Sequence, residues 1–372
     1  MNLRDEGVKR GYIDRSTLKD YLEQKFGMPL NIEEIRSLGS MAEDEDVLKQ
    51  FGFGKPIFVC FRTDEGEKKV VFHRIRENAF GREREDDRVS AIWLDYQTFN
   101  ELPRHVPALD MLIRVEEGNL RSIGNAVEML LLTGHRSGQT YAQDLVRIGQ
   151  QRKLEALDLG RAGALAGYLA DIHQKELDCE GLWIRRLRDL IGHGEGVMGL
   201  TDNYPSYVSF TDEEELRFIE EQVNRWRWNL KPLSHRLRQV HGDFHPYNVL
   251  FEEGLKFHVL DRSRGAWGEP ADDVSCMSIN YLFFSLQHYG RLDGPFQDLH
   301  ERFWETYFDR RMDEEMLTVI QPWLAWRALV LASPVWYPDL EDGVRRKLID
   351  FARNVLANRR YDFRQINQYL VA

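Results

Sequence analysis

Residues 240–273 read VHGDFHPYNVLFEEGLKFHVLDRSRGAWGEPADD. This stretch gathers His241, Asp243, His245, Asn248 and Asp261 around two short strands, Val249–Phe251 and Phe257–Leu260. Glu252-Glu253-Gly254 supplies the turn of a hairpin between them. Asn248 precedes the first strand and Asp261 follows the second, so both side chains belong to the same open end. Asp243 lies on the loop entering that end. Two hard oxygen ligands and a second carboxylate at one place are what Mg²⁺ with a nucleoside triphosphate requires, the remaining ligands coming from phosphate and water. A lone Asp or Asn beside a turn is ordinarily a cap or an Asx-turn. An ordered series of such groups around one hairpin argues for chemistry instead. A second reading of the same residues is a hydrolase metal triplet, His241-x-Asp243-x-His245. It needs further ligands from other strands, and the remaining histidines form no second cluster.

Outward from this stretch the texture of the chain changes once. From about Ile32 to Leu132 strands and turns predominate. Ile57–Phe61 and Lys69–Ile75 are β-rich, with Asp64-Glu65-Gly66 as a hairpin turn. Asp87–Asn100 has helical spacing at Ile92, Tyr96 and Phe99. Met111–Val115 and Glu128–Leu132 are predicted as further strands. Beyond Gly138 the chain reads as helix. Asp158 is the expected N-cap of a segment running to Lys175, with Leu159, Ala162, Leu165, Ala166, Leu169 and Ile172 on one face. Thr211–Leu237 is a second expected helix, and helices dominate again from Asp273. Two units follow: a smaller α/β one over 1–133 and a larger helical one over 139–372.

Composition narrows the function classes. Of the 372 residues, 42% are apolar and 30% charged, which excludes a wholly disordered chain. Lys+Arg 50 against Asp+Glu 61 gives a net charge of −11, unfavourable for general binding of nucleic acid or anionic lipid. The 3 cysteines, Cys60, Cys179 and Cys276, are too scattered for a disulfide framework or a zinc site, so a reducing, cytoplasmic setting is expected. No apolar run approaches the ~18 residues of a membrane span.

The motif His241-Gly-Asp243-x-His245-x-x-Asn248, followed by a hydrophobic strand ending in Asp261, resembles the catalytic core of the aminoglycoside phosphotransferase family, which is related to choline kinases. Protein kinases carry Arg where this chain has Gly242, and the Gly form resembles the small-molecule branch. Gly268-Glu-Pro270-x-Asp272-Asp273 resembles the segment after the family's metal-binding Asp, with Asp273 as its buried structural Asp. The resemblance implies an α+β fold of protein-kinase type: a small β-rich nucleotide-binding lobe (1–133), a hinge (134–138) and a larger catalytic and acceptor-binding lobe (139–372). It implies ATP and Mg²⁺ as cofactors. Asp243 would accept or orient the acceptor proton, with His245 beside it. Asn248 and Asp261 would hold the metal. At the hinge, Gly134 C=O and Arg136 N–H would meet the adenine edge.

The chain departs from that pattern in its first unit. The strand that should carry the phosphate-contacting Lys offers His73 or Arg74. Arg74 supplies charge at any pH, but strand alternation lets only one of the two face a nucleotide. The acidic partner is Asp87 or Asp95. In place of a full Gly-rich loop there is only Gly52-Phe-Gly54, whose glycines would let backbone approach phosphate. Arg185, Arg186 and Arg188 are either an anion-binding group or a solvated helix face. Tyr204, Trp226 and Trp228 either stack on an acceptor or pack in the core. The expected activity is transfer of the ATP γ-phosphoryl group to a hydroxyl of a small molecule. The alternatives are a nucleotide-binding pseudokinase, an atypical protein kinase and a metal-dependent hydrolase. The acceptor, ATP against GTP, and the oligomeric state are not written in the sequence.

Overall fold

A computed structural model describes residues 13–38, 56–101, 103–115 and 118–371. The chain divides into two compact units, Met1–Thr133 and Gly134–Ala372.

The first unit opens with α1 (Arg15–Phe26), which the sequence reading did not anticipate. Asp14 caps it by accepting from Thr17 N at 2.8 Å, and Gly27 ends it at φ +67°. A three-stranded antiparallel sheet follows: β1 (Asn31–Ser37), β2 (Ile57–Thr63) and β3 (Gly66–Phe72). The β2–β3 hairpin turns where expected, with Thr63 opposite Gly66. Val59 and Phe61 of β2 face Leu18, Tyr21, Leu22 and Ile32, forming a separate small core. The expected helix is α2 (Glu85–Thr98), none of whose residues is buried.

The strand expected at Glu128–Leu132 does not form. Instead β4 (Leu112–Arg114) pairs with β5 (Leu120–Ser122) across a turn at Gly118, φ +90°. A short loop closes at lower entropic cost than a long one, so the local partner wins. Leu130, Leu131 and Leu132 are left exposed.

The second unit begins with β6 (Gln139–Thr140), then α3 (Tyr141–Gln151), α4 (Ala156–Ile172), α5 (Glu180–Gly192), α6 (Val197–Thr201) and α7 (Glu213–Leu230). Asp158 is not the N-cap of α4. Glu155 is, and Asp158 sits one turn inside, accepting from Glu155 N at 2.8 Å while pairing with Arg147. The helix predicted over Thr211–Leu237 stops at Leu230. Pro232 has no N–H to give and disfavours helix in the residue before it. The chain then makes a short turn at Ser234–Arg236.

Four short strands follow: β7 (Arg238–Gln239), β8 (Val249–Phe251), β9 (Phe257–Val259) and β10 (Trp267–Gly268). They form two antiparallel sheets, β6-β8-β9 and β7-β10. The remaining helices are α8 (Pro270–Tyr289), α9 (Gly294–Arg310), α10 (Gln321–Ala332) and α11 (Asp342–Ala357). Every residue of α8 from Pro270 to Leu286 is buried. A helix buried on every side is packed on every side, so α8 is the axis of the unit. Trp183, Trp304 and Tyr281 are fully buried in the surrounding core, each contributing roughly 2–3 kcal/mol by area. No helix among the described residues is long and apolar enough to cross a membrane.

Candidate active site

The hairpin read from the sequence is present, with Val249 opposite Val259 and Phe251 opposite Phe257. Leu260 N donates to Asn248 O at 2.9 Å, closing its open end. This brings Asn248 and the residue after Leu260, Asp261, to one place. Asn248 Nδ2 donates to Asp243 O at 3.1 Å, which turns its amide oxygen away from that contact. Asp261 holds φ +50°, and Asp is one of the few side chains that tolerates this region. Its exposed carboxylate makes no hydrogen bond or ion pair with the described residues.

The loop entering the hairpin is fixed from below. Asp273, fully buried on α8, accepts from His241 N and Gly242 N, each at 2.7 Å. His173 Nε2 meets the same carboxylate at 3.2 Å, and its Nδ1 meets Tyr307 Oη at 2.9 Å. Burial alone would raise the Asp273 carboxyl, but His173 and the loop N–H groups outweigh it and hold it below the usual range. Gly242 stands at φ +89°, and a Cβ there would lie 3.2 Å from Arg264 Cβ, so only glycine fits without strain. Pinned in this way, the loop delivers Asp243 and His245 beside the hairpin end.

Asp243 is not a free carboxylate. Arg327 of α10 donates to its Oδ1 at 2.7 Å, to Gly242 O at 3.1 Å and to Asp272 Oδ1 at 2.6 Å. Arg264 Nη1 lies 3.3 Å from the same Oδ1. Burial pushes the Asp243 carboxyl up, but Arg327, Arg264 and His245 together hold it below its ordinary value. Oδ2 is the oxygen left over, 3.6 Å from His245 Nε2. Tyr247 N donates to His245 Nδ1 at 3.2 Å, which places the ring proton on Nε2, toward Asp243. Burial lowers the His245 pKa, against the pull of Asp243, with Arg327 and Arg264 lowering it further.

Around this centre the basic residues form a buttress. Arg186 donates to Asp272 Oδ2 at 2.9 Å and to Arg264 O at 2.5 Å. Arg185 is buried against Asp189 at 2.7 Å. These two are therefore neither a solvated face nor a ready anion site. Trp326 lies under both Arg327 and Arg264, with centroid distances of 4.0 and 4.8 Å, and ties to Glu195 O at 2.8 Å. Tyr204 and Trp226 are core residues bonded to the Leu329 and Leu356 carbonyls. Trp228 is exposed against Lys231.

The expected nucleotide-binding residues are dispersed. Arg136 lines a cavity of about 690 Å³ in the second unit with His135, Gln139, Phe251, Glu252 and Arg161. Gly138 beside it is obligatory: a Cβ would come 2.7 Å from Phe251 O, because Gln139 pairs with Phe251. Gly134 has open space around it and does not line the cavity. Arg74 lies in the first unit, exposed just past β3. Burial and the charges of Arg76, Arg114 and Arg88 lower its pKa. Asp87, a candidate acidic partner, accepts from Arg84 N at 2.8 Å as part of the α2 cap. Gly52 and Gly54 lie outside the described residues.

Sequence reasoning missed Arg327 and gave Asp272 no role beyond the motif that contains it. The available signal was a single Arg in the apolar run Gln321–Ala332, since a buried cation requires a buried partner.

Residues 131–311 match the family model described as the phosphotransferase enzyme family. This bears out the family read from the His241–Asp261 motif. No curated protein matches the chain. Similar solved structures include a glucosamine kinase in complex with glucosamine, ADP and inorganic phosphate (17% identity, TM-score 0.38), in which 55% of this chain covers 57% of that one. An amicoumacin kinase in complex with AMP-PNP and Ca²⁺ aligns at 13% identity and TM-score 0.41, over 85% of this chain and 90% of that one. A choline kinase from Streptococcus pneumoniae aligns at 12% identity and TM-score 0.34, over 92% and 98%. The chain thus spans little more than half the length of the glucosamine kinase it matches.

Proposed function

With residues 131–311 matched to the phosphotransferase enzyme family, we propose that this protein transfers the γ-phosphoryl group of ATP to a hydroxyl of a small molecule, with Mg²⁺. The observation that carries this reading is the arrangement at the hairpin end. An uncommitted Asp261 carboxylate at φ +50° stands beside Asn248, while Asp243 is held on a clamped loop next to both. Non-glycine residues at positive φ persist where the surroundings impose them, often at functional sites.

The donor set fits the metal: one carboxylate and one amide oxygen, both hard, neither consumed by an ion pair. Mg²⁺ held there would neutralise phosphate charge. Asp243 Oδ2 takes the proton of the acceptor hydroxyl as its oxygen bonds to the γ-phosphorus. The bond from that phosphorus to the β–γ bridging oxygen breaks, and ADP leaves. His245 Nε2–H steadies Oδ2 from the other side. The low Asp243 pKa makes the group an orienting acceptor more than a strong base. The cavity beside Arg136 is the candidate site for the nucleotide base, at the opposite end of β8 from Asn248.

Two features favour a small acceptor. Asp273 follows Asp261 by only twelve positions, and α8 begins at Pro270, which leaves no length for a long activation segment. The Asp243 charge is already met by Arg327 and Arg264, so this carboxylate is set to meet a hydroxyl more than to bind a cationic group. A small, hydroxylated compound suits the site. The hydrolase reading loses ground because His241 is buried with Nδ1 turned to Asp243 N at 3.3 Å.

The test is ATP consumption across a panel of sugars, amino alcohols, aminoglycosides and a generic protein mixture, with Asp243→Asn as control. Turnover with a small molecule, lowered roughly 10²-fold or more in the variant, supports the reading. Labelling of protein alone would refute it, as would wild-type turnover by Asp243→Asn.

A further inference from the structure

We infer that Arg327, on a helix 84 residues beyond the catalytic loop, is a positioning residue that aims Asp243 for the transfer. The inference rests on the phosphotransfer reading and adds to it a residue outside the motif.

A carboxylate on a loop has two equivalent oxygens and a rotatable bond. Either oxygen could face the acceptor, and thermal rotation would spread both over several positions. Arg327 removes that freedom. Its Nη1 occupies Oδ1 at 2.7 Å, which leaves Oδ2 alone to face His245. Arg327 is itself immobile. It is 4% exposed and spends Nη2 on Asp272 Oδ1 and Gly242 O, so it grips both the side chain of Asp243 and the backbone before it. Asp272 in turn holds Arg186, and Arg186 holds the carbonyl of Arg264. The result is an alternating chain of charges, Asp243–Arg327–Asp272–Arg186, linking α10, α8 and α5 to the segment after Asp261.

Structural support alone does not require this geometry. Asp272 and the Gly242 carbonyl already anchor Arg327 to the scaffold through Nη2. Its third contact is spent on the carboxylate proposed to take the proton. A fixed near-attack orientation is worth large factors in rate, and a misplacement of ~1 Å can cost about 10²-fold.

The experiment compares wild type with Arg327→Gln, Arg327→Lys and Asp272→Asn. Melting temperature and ATP affinity are measured first, then kcat and KM for the acceptor found in the panel, then crystal structures. The expected result is a folded Arg327→Gln protein with wild-type ATP affinity and kcat down roughly 10²-fold. Arg327→Lys should recover part of the loss, because an ammonium still reaches Oδ1. In the Asp243→Asn background Arg327→Gln should cost little more. If Arg327→Gln does not fold, Arg327→Lys and Asp272→Asn carry the same comparison. The crystal structures give a readout independent of turnover: the Asp243 carboxylate should rotate when Arg327 is replaced. An unchanged Asp243 rotamer, or wild-type kcat in a protein that Asp243→Asn inactivates, overturns the inference. If wild type phosphorylates nothing, the phosphotransfer reading fails on its own, and the rotamer comparison still decides whether Arg327 positions Asp243.

Discussion

Replacing Asp273 by Ala should both destabilise and inactivate this protein, and the size of the effect follows from its contacts. Asp273 is fully buried and accepts from His241 N and Gly242 N at 2.7 Å and from His173 Nε2 at 3.2 Å. Truncation leaves two backbone N–H groups and one imidazole N–H without an acceptor. Each orphaned buried donor costs about 1–3 kcal/mol, while the desolvation cost of the lost carboxylate is returned. Removing one partner from a buried charged cluster costs about 3–5 kcal/mol in sum, against a total stability of about 5–15 kcal/mol. For a unit of this size, 4 kcal/mol corresponds to a fall of roughly 8–16 °C in melting temperature. Asp273→Asn keeps one acceptor oxygen and turns its NH₂ toward the other donor, so it should fall between wild type and Ala. Calorimetric or fluorescence melting gives the first readout and turnover with the best panel acceptor the second. Turnover should fall by more than the unfolded fraction explains, because the loop carrying Asp243 loses its floor. An Asp273→Ala protein melting within ~2 °C of wild type, with normal turnover, would show that the loop is held by something else.

Asp261→Ala should abolish the Mg²⁺-dependent part of ATP binding and Asn248→Ala should weaken it less, because a carboxylate is the stronger partner for a divalent cation. Titration calorimetry with and without Mg²⁺ checks this, and equal affinities under both conditions would contradict it. Glu269→Ala should cost about 3 kcal/mol in denaturant melts. That is the low end for a broken buried pair, because Arg236, which meets Glu269 at 2.5 and 2.8 Å, keeps Asp313 at 2.8 Å. His300 is fully buried on α9, accepts from Trp304 Nε1 at 3.1 Å, and has its pKa lowered by burial from 6.5 to about 3. The unfolded chain therefore binds the extra proton between these values. Stability held above pH 6.5 is lost as pH falls toward 3, about 2 kcal/mol of it by pH 5. His300→Leu should flatten this part of the stability–pH profile, and an unaltered profile would remove His300 from the acid response.

Local features are legible in the order of residues. Chemistry-bearing residues at fixed spacing around a strand pattern of period two leave little choice, so Asn248 and Asp261 read as one hairpin end with Asp243 on the loop entering it. Helical periodicity likewise marked α2, α4 and α7, with errors only at boundaries. There Asp158 sits one turn inside its helix and Pro232 ends α7 early. Strand pairing was less legible. A run such as Glu128–Leu132 has the composition of a strand, but a strand exists only if an edge is free, and β4 took the nearer segment Leu120–Ser122. Tertiary structure alone decided the setting of Asp243. Arg327 reaches it from 84 residues away and Asp273 holds its loop from 31 residues away. No period or motif marks Arg327, and the Gly268–Asp273 motif marks Asp273 as buried without saying what it holds. A buried charge chooses its partner by proximity in the folded chain, where the low dielectric makes an unpaired ion too costly to keep.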